Sequence, residues 1–215
     1  MSPVGGRYAD RHTVAVTRSW IHVGRCWTNG EPFLALDADL LPHWRGSSDD
    51  VFEEVVVPLG QEVTGLPVGP GAAALIATDP EVSDEGWLEV FRSADGRGDV
   101  AIVHAGGPDY PAVLAAALAH PEEDGEPGES FAVPSGRLAI ISAALDGTGD
   151  MGAATSPERP GSLPEAQDYD GDVDDAGGPV LEVAPRTFRL TVRWLVELDD
   201  EAAFARWLLV GEDAA

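Results

Sequence analysis

The most regular alternation of apolar and polar positions covers residues 188–197, where Phe188, Leu190, Val192, Trp194 and Val196 interleave with Arg189, Thr191, Arg193, Leu195 and Glu197. Successive side chains of a strand point to opposite faces, so this stretch predicts a strand with one buried and one largely wet face. Over Gly86–Arg92, Trp87, Glu89 and Phe91 alternate with Leu88 and Val90. Both sets are mainly apolar, which predicts a strand covered on both sides, with the charge of Glu89 near a sheet edge. The Asp95-Gly96 turn leads into Val100–His104, so residues 86–104 read as a hairpin. Shorter apolar or β-branched runs predict further strands at 13–23, 32–36, 51–57, 71–77, 137–144 and 180–183.

Helical spacing is rarer. Asp109 precedes an alanine-rich run that places Val113, Leu114, Ala117 and Leu118 on one face and stops at Pro121. His120, in the last turn, suits the negative end of the helix dipole. Asp39 is placed to cap a short helix through Leu40, Leu41, His43 and Trp44, with Pro42 in its first turn and Gly46 at its end. Asp199 or Asp200 would cap a final helix to Val210, docked by Phe204, Trp207 and Leu208. The expected class is α+β, with mainly antiparallel sheets and a few short helices.

Residues 1–12 lack periodicity and read as a flexible tail. A domain over 13–121 would be followed by an acidic linker at 122–130 and a second β-rich module at 131–211. Inside that module, 147–179 carries eight acids against the single base Arg159 and reads as a long acidic loop. A faint echo links the halves: Val68-x-x-Gly71 resembles Val133-x-x-Gly136, and Leu88-Glu89-Val90 resembles Leu181-Glu182-Val183. It allows two similar β-rich modules.

Charge narrows the function. Thirty-eight acids stand against thirteen bases, all arginine, for a formal net charge of −25 across 215 residues. Binding a phosphate backbone needs cationic side chains, so nucleic acid is not an expected partner, and anionic membrane surfaces are disfavoured for the same reason. No apolar run approaches the roughly 18 residues of a membrane span, and Cys26 is the only cysteine, so a cytoplasmic protein is expected.

Chemical motifs give little. Asp168-Tyr-Asp-Gly-Asp-Val-Asp-Asp175 could offer oxygens to calcium, but either EF-hand register puts Val173 or Asp175 at the turn glycine and Pro179 or Leu181 at the bidentate Glu. A solvated loop is the better reading. His12, His22, His43, His104 and His120 lack metal-binding spacing. Cys26 beside Arg25 reads as a small packing residue. Residues 65–71 (GLPVGPG) lack the phosphate-reaching lysine of a P-loop. No catalytic residue, cofactor or metal site is expected.

One resemblance runs through the first half. Trp20-Ile21, Gly30-Glu-Pro-Phe-Leu-Ala-Leu36, Leu40-Leu-Pro-His-Trp-Arg-Gly46, the Val68-Gly-Pro-Gly-Ala strand, Asp79-Pro80 and Gly86-Trp-Leu-Glu-Val-Phe-Arg92 follow one another in an order that resembles immunity protein family twenty-one. Members of this family are encoded beside bacterial polymorphic toxins. The likeness spans residues 20–92; Glu31 replaces a family glycine, Asp79-Pro80 lacks an intervening Glu, and Asp49-Asp50-Val-Phe-Glu-Glu54 replaces tyrosine-containing acidic elements. It implies a non-enzymatic protein that binds and neutralises a cognate toxin by occluding its active site, and the acidic charge of the chain makes a toxin with a basic surface the expected partner. The expected contacts are Asp49, Asp50, Glu53 and Glu54, followed by Asp170, Asp172 and Asp174. An acidic binding or scaffold protein is the alternative, and an enzyme without a recognisable motif is a third.

Overall fold

The computed structural model describes residues 18–57, 63–148, 152–164 and 178–212. Strands dominate: β1 Trp20–Thr28, β2 Phe33–Asp37, β3 Gly65–Val68, β4 Gly71–Ile76, β5 Gly86–Ser93, β6 Val100–Gly106, β7 Glu126–Val133, β8 Arg137–Ser142, β9 Thr155–Pro157, β10 Gly178–Glu182, β11 Arg186–Glu197 and β12 Ala203–Glu212. The α-helix α1 spans Tyr110–Ala119. The expected α+β class with mainly antiparallel pairing holds.

Two six-stranded sheets form, one ordered β1-β5-β6-β12-β11-β7 and the other β3-β4-β2-β8-β10-β9. Advancing each strand number by six turns the first half of either order into its second half read backwards. The halves are therefore topological repeats, joined in both sheets by their central antiparallel pairs, β6 with β12 and β2 with β8. The repeat breaks at one edge, where β9 and β10 pair in parallel and β3 and β4 antiparallel. The echoed motifs do not mark this repeat, because Val68–Gly71 joins β3 to β4 whereas Val133–Gly136 joins β7 to β8.

The inner faces of the two sheets meet in one core that includes Phe33, Ile76, Leu88, Ile102, Ile140, Phe188 and Trp207. Outside the first sheet, α1 lays Val113, Leu114 and Ala117 on Phe91, Ala101, Val103, Phe204 and Leu208. Outside the second, Leu40, Trp44 and Val56 cover Leu34, Leu36, Leu75 and Ile141. Both outer faces are thus dry near the centre, which explains the apolar runs on both sides of so many strands.

Three expectations are corrected. Residues 203–212 form β12 instead of a helix: Phe204, Arg206 and Leu208 face α1 while Ala205, Trp207 and Leu209 face the other sheet, and burial on both faces erased the period-2 pattern. Residues 51–57 are not a strand, since the π-helical segment Phe52–Val56 follows Asp49, whose carboxylate accepts from Val51 N at 3.0 Å. In place of a linker at 122–130, a 3-10 turn at Glu122–Asp124 leads into β7 at Glu126. The segments 13–121 and 131–211 each supply three adjacent strands to both sheets and share one inter-sheet core. The helix at Ala38–His43 is present as 3-10, capped by Asp37, whose Oδ1 accepts from Asp39 N at 2.7 Å.

Candidate functional site

The acids expected to make contacts divide. Asp50, Glu53 and Glu54 are exposed, and among the described residues none has an ion pair or hydrogen bond through its carboxylate. Asp49 is half-buried and serves as a cap, so its carboxylate is occupied locally. Val56, on the other side of the same segment, is buried against the second sheet and anchors this acidic ledge. Asp170, Asp172 and Asp174 lie outside the described residues, as does the rest of the Asp168–Asp175 cluster.

A second polar cluster was not expected. Glu89 on β5 has no solvent exposure, although one strand, β1, separates it from the sheet edge. Its Oε2 lies 2.7 Å from Nε2 of His22, and its Oε1 accepts a 3.0 Å hydrogen bond from the Tyr110 hydroxyl. A buried carboxylate is costly unless hydrogen-bonded and paired, and these contacts supply partners for both oxygens. Burial, together with the Glu89 charge, pushes the Tyr110 hydroxyl pKa well above its ordinary value, so Tyr110 acts as a donor. Arg25 is directly opposite Glu89 in the β1–β5 ladder and stacks its guanidinium 4.0 Å over the Trp87 ring.

Local backbone geometry brings these groups together. The β1–β5 register shifts between His22 and Gly24, a bulge that re-aims edge-strand side chains. Residues 155–161 strap this edge: Ser156 lies in β9, Arg159 N donates to Val23 O at 2.8 Å and Gly161 N to His22 O at 3.0 Å. Between strap and bulge lies a cavity of about 160 Å³ lined by His22, Gly24, Arg25, Ser156, Arg159 and Pro179, among others. Because the carboxylate accepts from Nε2, Nδ1 is the imidazole nitrogen left for other contacts.

The other single residues have structural roles or stand alone. Cys26 is buried, and burial raises its thiol pKa, which keeps it protonated and unreactive. His43 is exposed. His104 is fully buried, faces the inter-sheet core opposite Leu88, and among the described residues has no hydrogen-bond partner for either ring nitrogen; burial holds its pKa down at about 4. His120 does not act as the cation at the end of α1. Arg206 does, donating to the carbonyls of Ala117, His120 and Pro121 at 2.9, 2.7 and 3.1 Å. Burial first, then the charge of Arg206, lowers the His120 pKa.

Among the described residues, no group of three or more His, Cys, Asp or Glu could hold a metal ion, and no helix is long and apolar enough to cross a membrane. No protein-family model, curated protein or solved structure matches this chain.

Proposed function

We propose that this chain is a non-enzymatic immunity protein that binds a cognate polymorphic toxin and neutralises it by occluding the toxin's active site. The observation that carries this reading is the acidic ledge, where Asp50, Glu53 and Glu54 stand exposed, without a partner among the described residues, on a segment anchored through Val56. A backbone already held on a buried support has little freedom to lose when a cationic partner arrives. The ledge falls within residues 20–92, the stretch whose motif order resembles the immunity family.

Net charge supports the same reading at longer range. A toxin that attacks nucleic acid needs a cationic cleft, and a chain at −25 is steered towards such a surface, with association faster by about 10 to 1,000-fold at low salt. An acidic scaffold protein would share this surface but would have no toxin to silence. Co-expression with the variable C-terminal domain of a large secreted protein encoded beside this gene distinguishes the two. The proposal expects restored growth and a co-purifying complex; continued growth arrest without a complex would remove it.

A further inference from the structure

We infer that the surface through which the two halves of this chain meet also accepts the matching half of a second copy, so that two chains exchange halves into a dimer with residues 122–125 as the hinge. The inference is independent of the toxin reading.

Symmetry is the first argument. Each joint pairs a strand with its own topological counterpart, Val100–Gly106 of β6 with Ala203–Leu209 of β12 and β2 with Leu138–Ser142 of β8, and both joints are antiparallel. Antiparallel pairing of equivalent strands is the relation a two-fold axis imposes, as in an isologous dimer. Between the joints lies a core to which the first half gives Phe33, Leu88 and Ile102 and the second gives Ile140, Phe188 and Trp207. Obligate dimer interfaces resemble a core cut in two, and each half presents such a surface to the other. Neither joint includes the covalent connection.

The hinge is the second. The connection leaves α1 at Ala119 and enters β7 at Glu126. Its 3-10 turn is closed by a 3.1 Å hydrogen bond from Gly125 N to Glu122 O, and Glu122, Glu123 and Asp124 are not buried. Glu122 adds ion pairs to Arg18 at 3.1 Å and Arg189 at 3.9 Å near the surface, where such pairs contribute little. Opening the turn therefore gives up few interactions, while each lobe of an exchanged dimer rebuilds both joints and the core. The balance between the two forms is set by the effective concentration that the connection imposes on its own halves, about millimolar for a short linker.

Refolding the chain from denaturant at about 1 µM and at about 1 mM, followed by size exclusion with light scattering, provides the test. A monomer is expected at the lower concentration and a substantial dimer fraction at the higher. A protease site inserted after Asp124 then identifies the dimer. Cutting both connections of an exchanged dimer releases two lobes, each with the mass of one chain, whereas a dimer formed by surface association keeps its mass and would overturn the inference. A monomer alone at both concentrations would also overturn it. Cut monomer should stay together as a two-fragment complex, and its separation would show that the joints depend on the connection, contrary to the inference. Deleting Glu122, Glu123 and Asp124 opposes closure and should move the dimer to micromolar concentration; a deletion variant that melts cooperatively as a monomer would remove the hinge assignment.

Discussion

His22 on edge strand β1 and Glu89 on its neighbour β5 are joined by a 2.7 Å contact between Nε2 and Oε2, so an imidazole at the rim of the sandwich is fixed by a carboxylate that water does not reach. The Tyr110 hydroxyl, from the first turn of α1, completes the arrangement at 3.0 Å. Three elements distant in sequence thereby converge on one buried charge.

Removing one partner should expose the cost of that burial. Tyr110→Phe keeps the ring packing but leaves Oε1 of Glu89 without its donor, and should destabilise the fold by about 1–3 kcal/mol. Denaturant melts of this variant and of Tyr110→Phe combined with Glu89→Gln would check the coupling. Neutralising the carboxylate should recover part of the loss, and strict additivity would contradict a shared network.

The sign of the pH dependence follows from His104. Burial holds its pKa at about 4, below the ordinary 6.5, so between those values the unfolded chain binds a proton that the folded chain excludes. Stability is complete above pH 6.5 and falls as pH drops towards 4, by about 3 kcal/mol in total. His120, also lowered, adds a smaller limb of the same sign. His104→Leu should flatten most of this slope between pH 4 and 6.5 and raise stability at neutral pH, because it removes an unpartnered buried ring. Urea midpoints measured across that range would show it; an unchanged slope would assign the acid sensitivity elsewhere.

Arg206 should act as the clasp of α1. Arg206→Met retains most of the buried stem but abandons three carbonyls at the helix C-terminus, and should cost about 3 kcal/mol. Amide exchange across 110–119 should accelerate more than exchange in β2 or β8.

The two halves should be unable to fold alone. A fragment ending at residue 121 would expose the β6 and β2 edges, which in the whole chain pair with β12 and β8. Such a fragment should aggregate or lack dispersed amide resonances, whereas a cooperative melt of the isolated fragment would contradict the dependence of each half on the strand pairs that join them.

What the sequence showed of the fold depended on whether a strand has a wet face. β11 carries Arg189 and Glu197 on exposed positions, and its alternation was plain. β12 is covered on both faces, and its Phe204, Trp207 and Leu208 fit helical spacing equally well, so the pattern alone does not distinguish strand from helix. The run Val55–Val57 favoured a strand by propensity, but Asp49 capping and burial of Val56 fixed a helical segment. The repeat was hidden because it survives as strand order, with the echoed motifs on non-equivalent strands. Of the buried cluster, the one legible signal was Glu89, a lone charge within an otherwise apolar strand. Its partners lie 67 and 21 residues away, and only the fold brings them together.

The central claim, that an acidic surface captures a basic toxin, is tested most directly by stopped-flow association with the toxic domain at low and physiological salt, comparing the wild-type chain with the Asp50→Asn, Glu53→Gln, Glu54→Gln triple variant. These positions are exposed and have no partner among the described residues, so the variant should melt within about 0.5 kcal/mol of wild type. The account predicts a wild-type rate that falls steeply with salt and a triple variant about tenfold slower at low salt. Association of the triple variant at the wild-type rate, with the same salt dependence, would contradict it.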